Sequence, residues 1–132
     1  MKRVFCAVLL SAFGLSNVEA KDIYVKAKAE GKGAKESPYG ELWKAIDRAQ
    51  RGDVIHVAKG TYNGKGGSGN FTIKSPNITL VGGYDDAFAT RNPFKNHTIL
   101  ERAKDYRGGT MGLGEGIIQG KHQVDHSNLT VD

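Results

Sequence analysis

The chain has 132 residues, a formal net charge of +5 and one cysteine, Cys6. That length holds one domain at most, and a lone cysteine excludes a disulfide framework within the chain. Lys and Arg are scattered from Lys26 to Lys121 without forming a stripe, which argues against nucleic-acid binding; a solvated surface explains the charge more simply than attraction to an acidic polymer.

The first twenty residues are a segment of their own. Lys2 and Arg3 start it positively, Val4 to Leu15 is almost wholly apolar, and Ser16-Asn17-Val18-Glu19-Ala20 ends in small residues at cleavage positions. This predicts a secretory signal peptide over 1–20, cleaved after Ala20 and too short to span a bilayer. The run has no polar face, which a buried first helix would need. Cys6 has no lipoprotein context, so cleavage is expected instead of acylation. No other stretch is apolar enough to cross a membrane. Residues 21–132 contain no cysteine and must gain stability from packing, which suits a bacterial periplasmic, secreted or cell-surface protein.

Asp22-Ile23-Tyr24-Val25 reads as a short strand, and Lys26 to Lys35 as a loop. A helix is expected over roughly 40–50, with Ser37 or Gly40 as cap, Pro38 in the first turn and Gly52 as stop. Leu42, Ile46 and Ala49 recur at helical spacing with Trp43 beside them, while Lys44, Asp47 and Arg48 take the other side. After Gly52-Asp53 the period drops to two: Val54 to Ala58 is a strand, and Lys59-Gly60-Thr61-Tyr62 turns it. Asn63 to Gly69 is a loop, Phe71 to Ile73 a strand and Ser75-Pro76-Asn77 a turn. Further strands are expected at Ile78–Val81, Thr98–Leu100, 116–120 and 128–131, with long connections over Gly82–His97 and Gly108–Gly116.

Ser75-Pro76-Asn77-Ile78-Thr79-Leu80 and His126-Ser127-Asn128-Leu129-Thr130-Val131 share one order of turn, Asn, aliphatic, Thr, aliphatic; Asn96-His97-Thr98-Ile99-Leu100 is a looser copy. Asn tolerates the left-handed region and can bond to a neighbouring turn, as stacked coils require. Short strands that cannot each close a sheet bury their apolar faces by stacking, with the pairs at 55/57, 78/80 and 129/131 facing one interior.

The order Tyr24-Val25, Leu42…Ala45-Ile46…Ala49, Gly52-Asp53…Ile55…Val57-Ala58…Gly60-Thr61-Tyr62, Ile78-Thr79-Leu80…Gly82-Gly83-Tyr84…Arg91…Pro93…Thr98-Ile99-Leu100 resembles the N-terminal segment of right-handed parallel β-helix proteins, the pectin-lyase-like superfamily. The resemblance covers most of residues 21–132 and implies a mainly β solenoid with an N-terminal capping α-helix, to which Leu42, Trp43 and Ile46 belong. Members of that superfamily usually have many more coils. A coil ending at Val131 leaves its interior and strand edge uncovered, so the fold is expected to be incomplete at the C-terminus or to dock that edge on a partner.

The chemistry-bearing motifs are sparse. Gly64-Lys65-Gly66-Gly67-Ser68-Gly69 has the spacing of a dinucleotide-binding turn, but a strand follows it where a helix must begin, and Gly112, Gly114 and Gly116 fare no better. His122 and His126, with Asp125 between them, sit in a loop context that disfavours zinc. Asn70, Asn77, Asn96 and Asn128 each match the glycosylation tripeptide, which a turn-then-strand rule also produces. No catalytic set, metal site or cofactor is expected.

The expected substrate-binding residues are Tyr62, Tyr84, Asp85, Asp86 and Arg91. Tyr62 and Tyr84 lie about one coil apart and could stack on sugar rings, although covering seams between loops and coil is the favoured role for Tyr24, Tyr39, Tyr62, Tyr84 and Tyr106. Asp85, Asp86 and Arg91 could hold calcium or an acidic sugar, although ordinary turn chemistry, with Arg91-Asn92-Pro93 fixing the loop, is the stronger reading. Carboxylates stacked on successive coils, which the resemblance implies for calcium-dependent pectate lyases, do not line up here. The expected function is an exported, carbohydrate-directed or adhesive β-helix module facing an acidic polysaccharide or surface glycan. The alternative is the N-terminal part of a polysaccharide lyase or glycoside hydrolase whose active coils lie beyond Asp132.

Overall fold

The β-branched and aromatic runs form short strands that pair only with strands distant in sequence. The computed structural model describes residues 19–66, 69–75 and 77–104, with the backbones of two later strands. In chain order the elements are β1 (Asp22–Val25), α1 (Leu42–Arg48), β2 (Val54–Ala58), β3 (Gly60–Asn63), β4 (Phe71–Ile73), β5 (Thr79–Tyr84), β6 (Thr98–Glu101), β7 (Ile118–Gly120) and β8 (Thr130–Val131). Among the described residues these make three sheets, ordered β1-β2-β5-β8, β3-β6 and β4-β7. Each pairing is parallel. From β2 onward the chain visits the three sheets in one fixed rotation, then repeats it.

The register keeps like positions in line. Ile23 pairs with Ile55, Ile55 with Leu80, and Leu80 with Val131. Alternation then sends Val25, Ile55, Val57 and Leu80 inward. They join Tyr62, Phe71, Ile73, Ile78 and the helix residues Leu42, Ala45 and Ile46 in one apolar cluster. Ile55, Val57, Ile78 and Leu80 therefore share an interior, as the spacing predicts; the side chains of the 129/131 pair lie outside the described residues. Each fully buried aliphatic or Phe side chain contributes about 1.5–3 kcal/mol of transfer free energy.

α1 is shorter than expected. Its N-cap is Glu41, which makes no side-chain capping bond. Ser37 closes a tight turn instead, its carbonyl accepting from Lys32 and Gly33 while its amide donates to Ala34. The chain leaves the helix at Ala49, whose backbone is extended, before Gly52 is reached. Ser75 donates its hydroxyl to the Ala49 carbonyl at 2.9 Å, satisfying one of the helix's terminal acceptors. The helix packs on β4 and touches β1, β2 and β3, so it contacts all three sheets.

Two further expectations are corrected. Gly60-Thr61-Tyr62 is strand and not turn, because Gly60 to Asn63 pair in register with Thr98 to Glu101. β5 also runs through Gly82 and Gly83 into Tyr84, where a connection was expected. Between His56 and Ala58 the partners jump from Val81 to Tyr84, a bulge that inserts an extra residue into β5. Gly83 has φ +86 there, and a Cβ on it would meet Pro93 at 3.0 Å, so glycine is required. Asn77, at φ 56, takes the left-handed corner foreseen for it.

Candidate functional site

The outward positions of the four-stranded sheet build a polar and aromatic cluster. β1 and β2 set Tyr24 beside His56, and the β5 bulge brings Tyr84 to the same face. The Tyr24 and His56 rings stack with centroids 4.8 Å apart, and Tyr84 meets His56 edge-on at 5.3 Å. Phe88 folds back from the following loop to touch Tyr24 at 5.0 Å and Tyr84 at 6.0 Å. Its φ of 55 is costly for a bulky residue, and burying the ring against two tyrosines offsets that strain.

His56 connects the cluster's polar groups. Nδ1 lies 3.0 Å from the Tyr84 hydroxyl, and Nε2 lies 2.8 Å from Asp22 Oδ1. A neutral imidazole protonated at Nε2 donates to Asp22 and accepts from Tyr84; an imidazolium donates to both. Desolvation of the ring, then the negative charge of Asp22, hold the Tyr24 hydroxyl above the ordinary phenol value. The array can orient a hydroxyl-bearing ligand and present an aromatic edge to it.

The loop after β5 carries three of the expected site residues. Asp85 accepts from the amides of Ala87, Ala89 and Thr90 and from the Thr90 hydroxyl, at 2.8–3.2 Å. Those bonds hold its carboxyl below the usual range, with the Ala89 amide foremost. Asp85 therefore shapes the loop. Asp86 is exposed and ion-pairs with Lys59 at 3.4 Å. Arg91 donates from Nε to the Gly82 carbonyl at 2.9 Å, fastening the loop back to β5. Asn96 does the same through its side-chain amide, 3.2 Å from the Gly83 carbonyl.

Tyr62 is separate from this group. It is 2% exposed, accepts from the Ala27 amide at 3.1 Å and donates to the Ala58 carbonyl at 2.8 Å. Burial pushes its phenol up to about 12. A ring enclosed in this way cannot stack on a sugar, so Tyr62 belongs to the core. The reason is the strand that replaces the expected turn, which alternates Thr61 outward and Tyr62 inward. Tyr106, His122, Asp125 and His126 lie outside the described residues.

A groove of about 1400 Å³ lies elsewhere, between the 27–44 segment and β3. It contains Tyr39 and Trp43 among mixed charges that include Glu41, Lys44 and Glu101. The Trp43 ring already lies under two ammonium groups, Lys44 and Lys65, each 5.4 Å from its centroid. Among the described residues no group of three His, Cys, Asp or Glu is placed to hold a metal ion, and no helix is long and apolar enough to cross a membrane.

Sequence reasoning missed Asp22, His56 and Phe88. Alternation already sends Tyr24 and His56 outward; only the parallel register puts them side by side.

Parallel in-register strands in three sheets, with one short helix against all of them, define a mainly β protein whose outer face carries the cluster. The chain belongs to the family described as "Protein of unknown function (DUF1565)", which matches residues 25–128. No curated protein and no solved structure matches it.

Proposed function

We propose that the chain is the N-terminal cap and first coils of a right-handed parallel β-helix of the pectin-lyase-like kind, in an exported bacterial protein whose outer sheet face binds carbohydrate. The repeated rotation through three parallel sheets supports the solenoid, since crossovers between parallel strands are overwhelmingly right-handed. The contact of α1 with all three sheets supports its role as cap. The signal-like segment over 1–20 supports export.

The binding reading rests on one observation: Tyr24, His56 and Tyr84 share the outward face of one sheet with Asp22, and the loop that follows Tyr84 carries the exposed groups Asp86 and Arg91. Aromatic edges with hydrogen-bonding groups at their rim suit the alternating apolar and hydroxyl surfaces of a sugar ring. Arg91 is exposed on the same loop and fastened to the Gly82 carbonyl, and a guanidinium is the group that suits the carboxylate of an acidic sugar.

The test is titration with polygalacturonate oligomers and with neutral glucan oligomers, followed by NMR shifts of the Tyr24, His56 and Tyr84 signals. Binding that Tyr84→Ala weakens at least tenfold, while Phe94→Ser leaves it unchanged, is the expected result. Shifts confined to the Trp43 groove, or none with either polymer, overturn it. Turnover of polygalacturonate to unsaturated product, with or without calcium, would replace the binding reading with that of a lyase.

A further inference from the structure

Asp53 is 2% exposed, an unusual position for a carboxylate. Its Oδ2 accepts from the Gln50 amide at 2.8 Å, and its Oδ1 from the backbone nitrogen of Lys21 at 2.9 Å. Among the described residues no cationic side chain forms an ion pair with it. Buried charge normally requires an opposite charge as well as hydrogen bonds. Lys21 is the first residue after Ala20, where the signal-like segment ends.

We propose that Asp53 is the receptor for the mature N-terminus: processing after Ala20 makes Lys21 N an ammonium already seated on the buried carboxylate. Hydrolysis of the Ala20–Lys21 bond consumes one water. Ala20 leaves as a carboxylate, and the freed Lys21 amine is protonated at neutral pH. The one hydrogen bond it makes to Asp53 becomes charge-assisted at both ends. The backbone around it is held independently, since the Val54 amide donates to the Lys21 carbonyl and the Thr79 amide to the Asp53 carbonyl, each at 2.9 Å. The ion pair thus ties β1 to the turn before β2, and the unprocessed chain has only an amide there. The inference rests on the export reading, and goes beyond it by assigning the new terminus a structural role.

The test uses the full chain expressed with its leader and recovered from the exported fraction. Intact mass reads where it begins, and limited acylation at neutral pH reads the α-amine. An ordinary α-amine, with pKa about 7.7–8.0, is labelled before lysine side chains near 10.4. The expected product begins at Lys21, and its α-amine is acylated at least tenfold more slowly in the native state than in urea. Asp53→Asn should restore fast labelling. The native-to-urea comparison on the unaltered chain stands even if that variant does not fold. Absence of the chain from the exported fraction overturns the export reading and the inference together, and an exported product beginning at another residue overturns the inference alone. A product beginning at Lys21 whose α-amine labels equally fast in both states overturns the inference alone.

Discussion

The Nδ1 atom of His56 lies 3.0 Å from the hydroxyl of Tyr84, although the two residues belong to successive strands of one sheet and are 28 positions apart. The same imidazole reaches Asp22 through Nε2 and stacks on Tyr24. One ring therefore joins β1, β2 and β5 on their outer face.

His56→Ala removes two hydrogen bonds and two ring contacts, and should cost about 1–3 kcal/mol in urea unfolding. Tyr84→Phe removes one hydrogen bond and should cost about 0.5–1.5 kcal/mol. Asp22 is largely exposed, so Asp22→Asn should cost no more than about 1 kcal/mol. If Asp22→Asn has the largest effect, the surface ion pair, and not the ring cluster, holds these strands together.

Tyr62 should make the protein sensitive to alkali. Its folded-state pKa of about 12 exceeds the ordinary 10.0, so its contribution is complete below pH 10 and disappears as pH rises towards 12. Stability followed by denaturant midpoint should fall across that window, and Tyr62→Phe should flatten the fall. The same variant should cost about 1–3 kcal/mol at neutral pH, because it leaves the Ala27 amide without its acceptor. A neutral-pH cost near zero would mean that water replaces the hydroxyl.

Asp85 has the opposite sign. Its carboxyl is held below the ordinary 3.8, so its contribution is present above that value and is lost as pH falls through the depressed one. Amide-exchange protection at Ala89 and Thr90 should drop in acid and should already be low in Asp85→Ala at neutral pH. Equal protection in variant and parent would sink the assignment of Asp85 as loop organiser.

The core and the surface should respond very differently to truncation. Ile55 has no exposed surface and aligns with Ile23 and Leu80, so Ile55→Ala should cost about 2–5 kcal/mol. Phe94 is 89% exposed, and Phe94→Ser should change stability by less than about 0.5 kcal/mol. A large loss at Phe94 in thermal melts would indicate a contact made in solution by that loop.

Much of this fold can be read from local pattern. The alternation of Val54 to Ala58, the helical spacing of Leu42 and Ile46 and the Asn corner at residue 77 each reflect forces that act over a few residues. The misreadings arose where a distant partner overrode the local signal. Gly60-Thr61-Tyr62 looks like a turn until Thr98 to Leu100 pair with it. Gly82-Gly83 looks like the start of a loop until the bulge is seen to need a glycine beside Pro93. At the candidate site, Tyr84 and Arg91 could be picked out by residue type; His56 and Asp22 could not, because neither stands in a motif.

Hydrophobic period and turn chemistry were thus enough to specify short stacked strands around one apolar interior, because burial and backbone preference are local properties of the chain. Register was not local. It depends on how strands separated by tens of residues slide past one another, and it alone put Tyr24 on His56, Tyr84 within reach of the imidazole, and Lys21 on the buried carboxylate of Asp53.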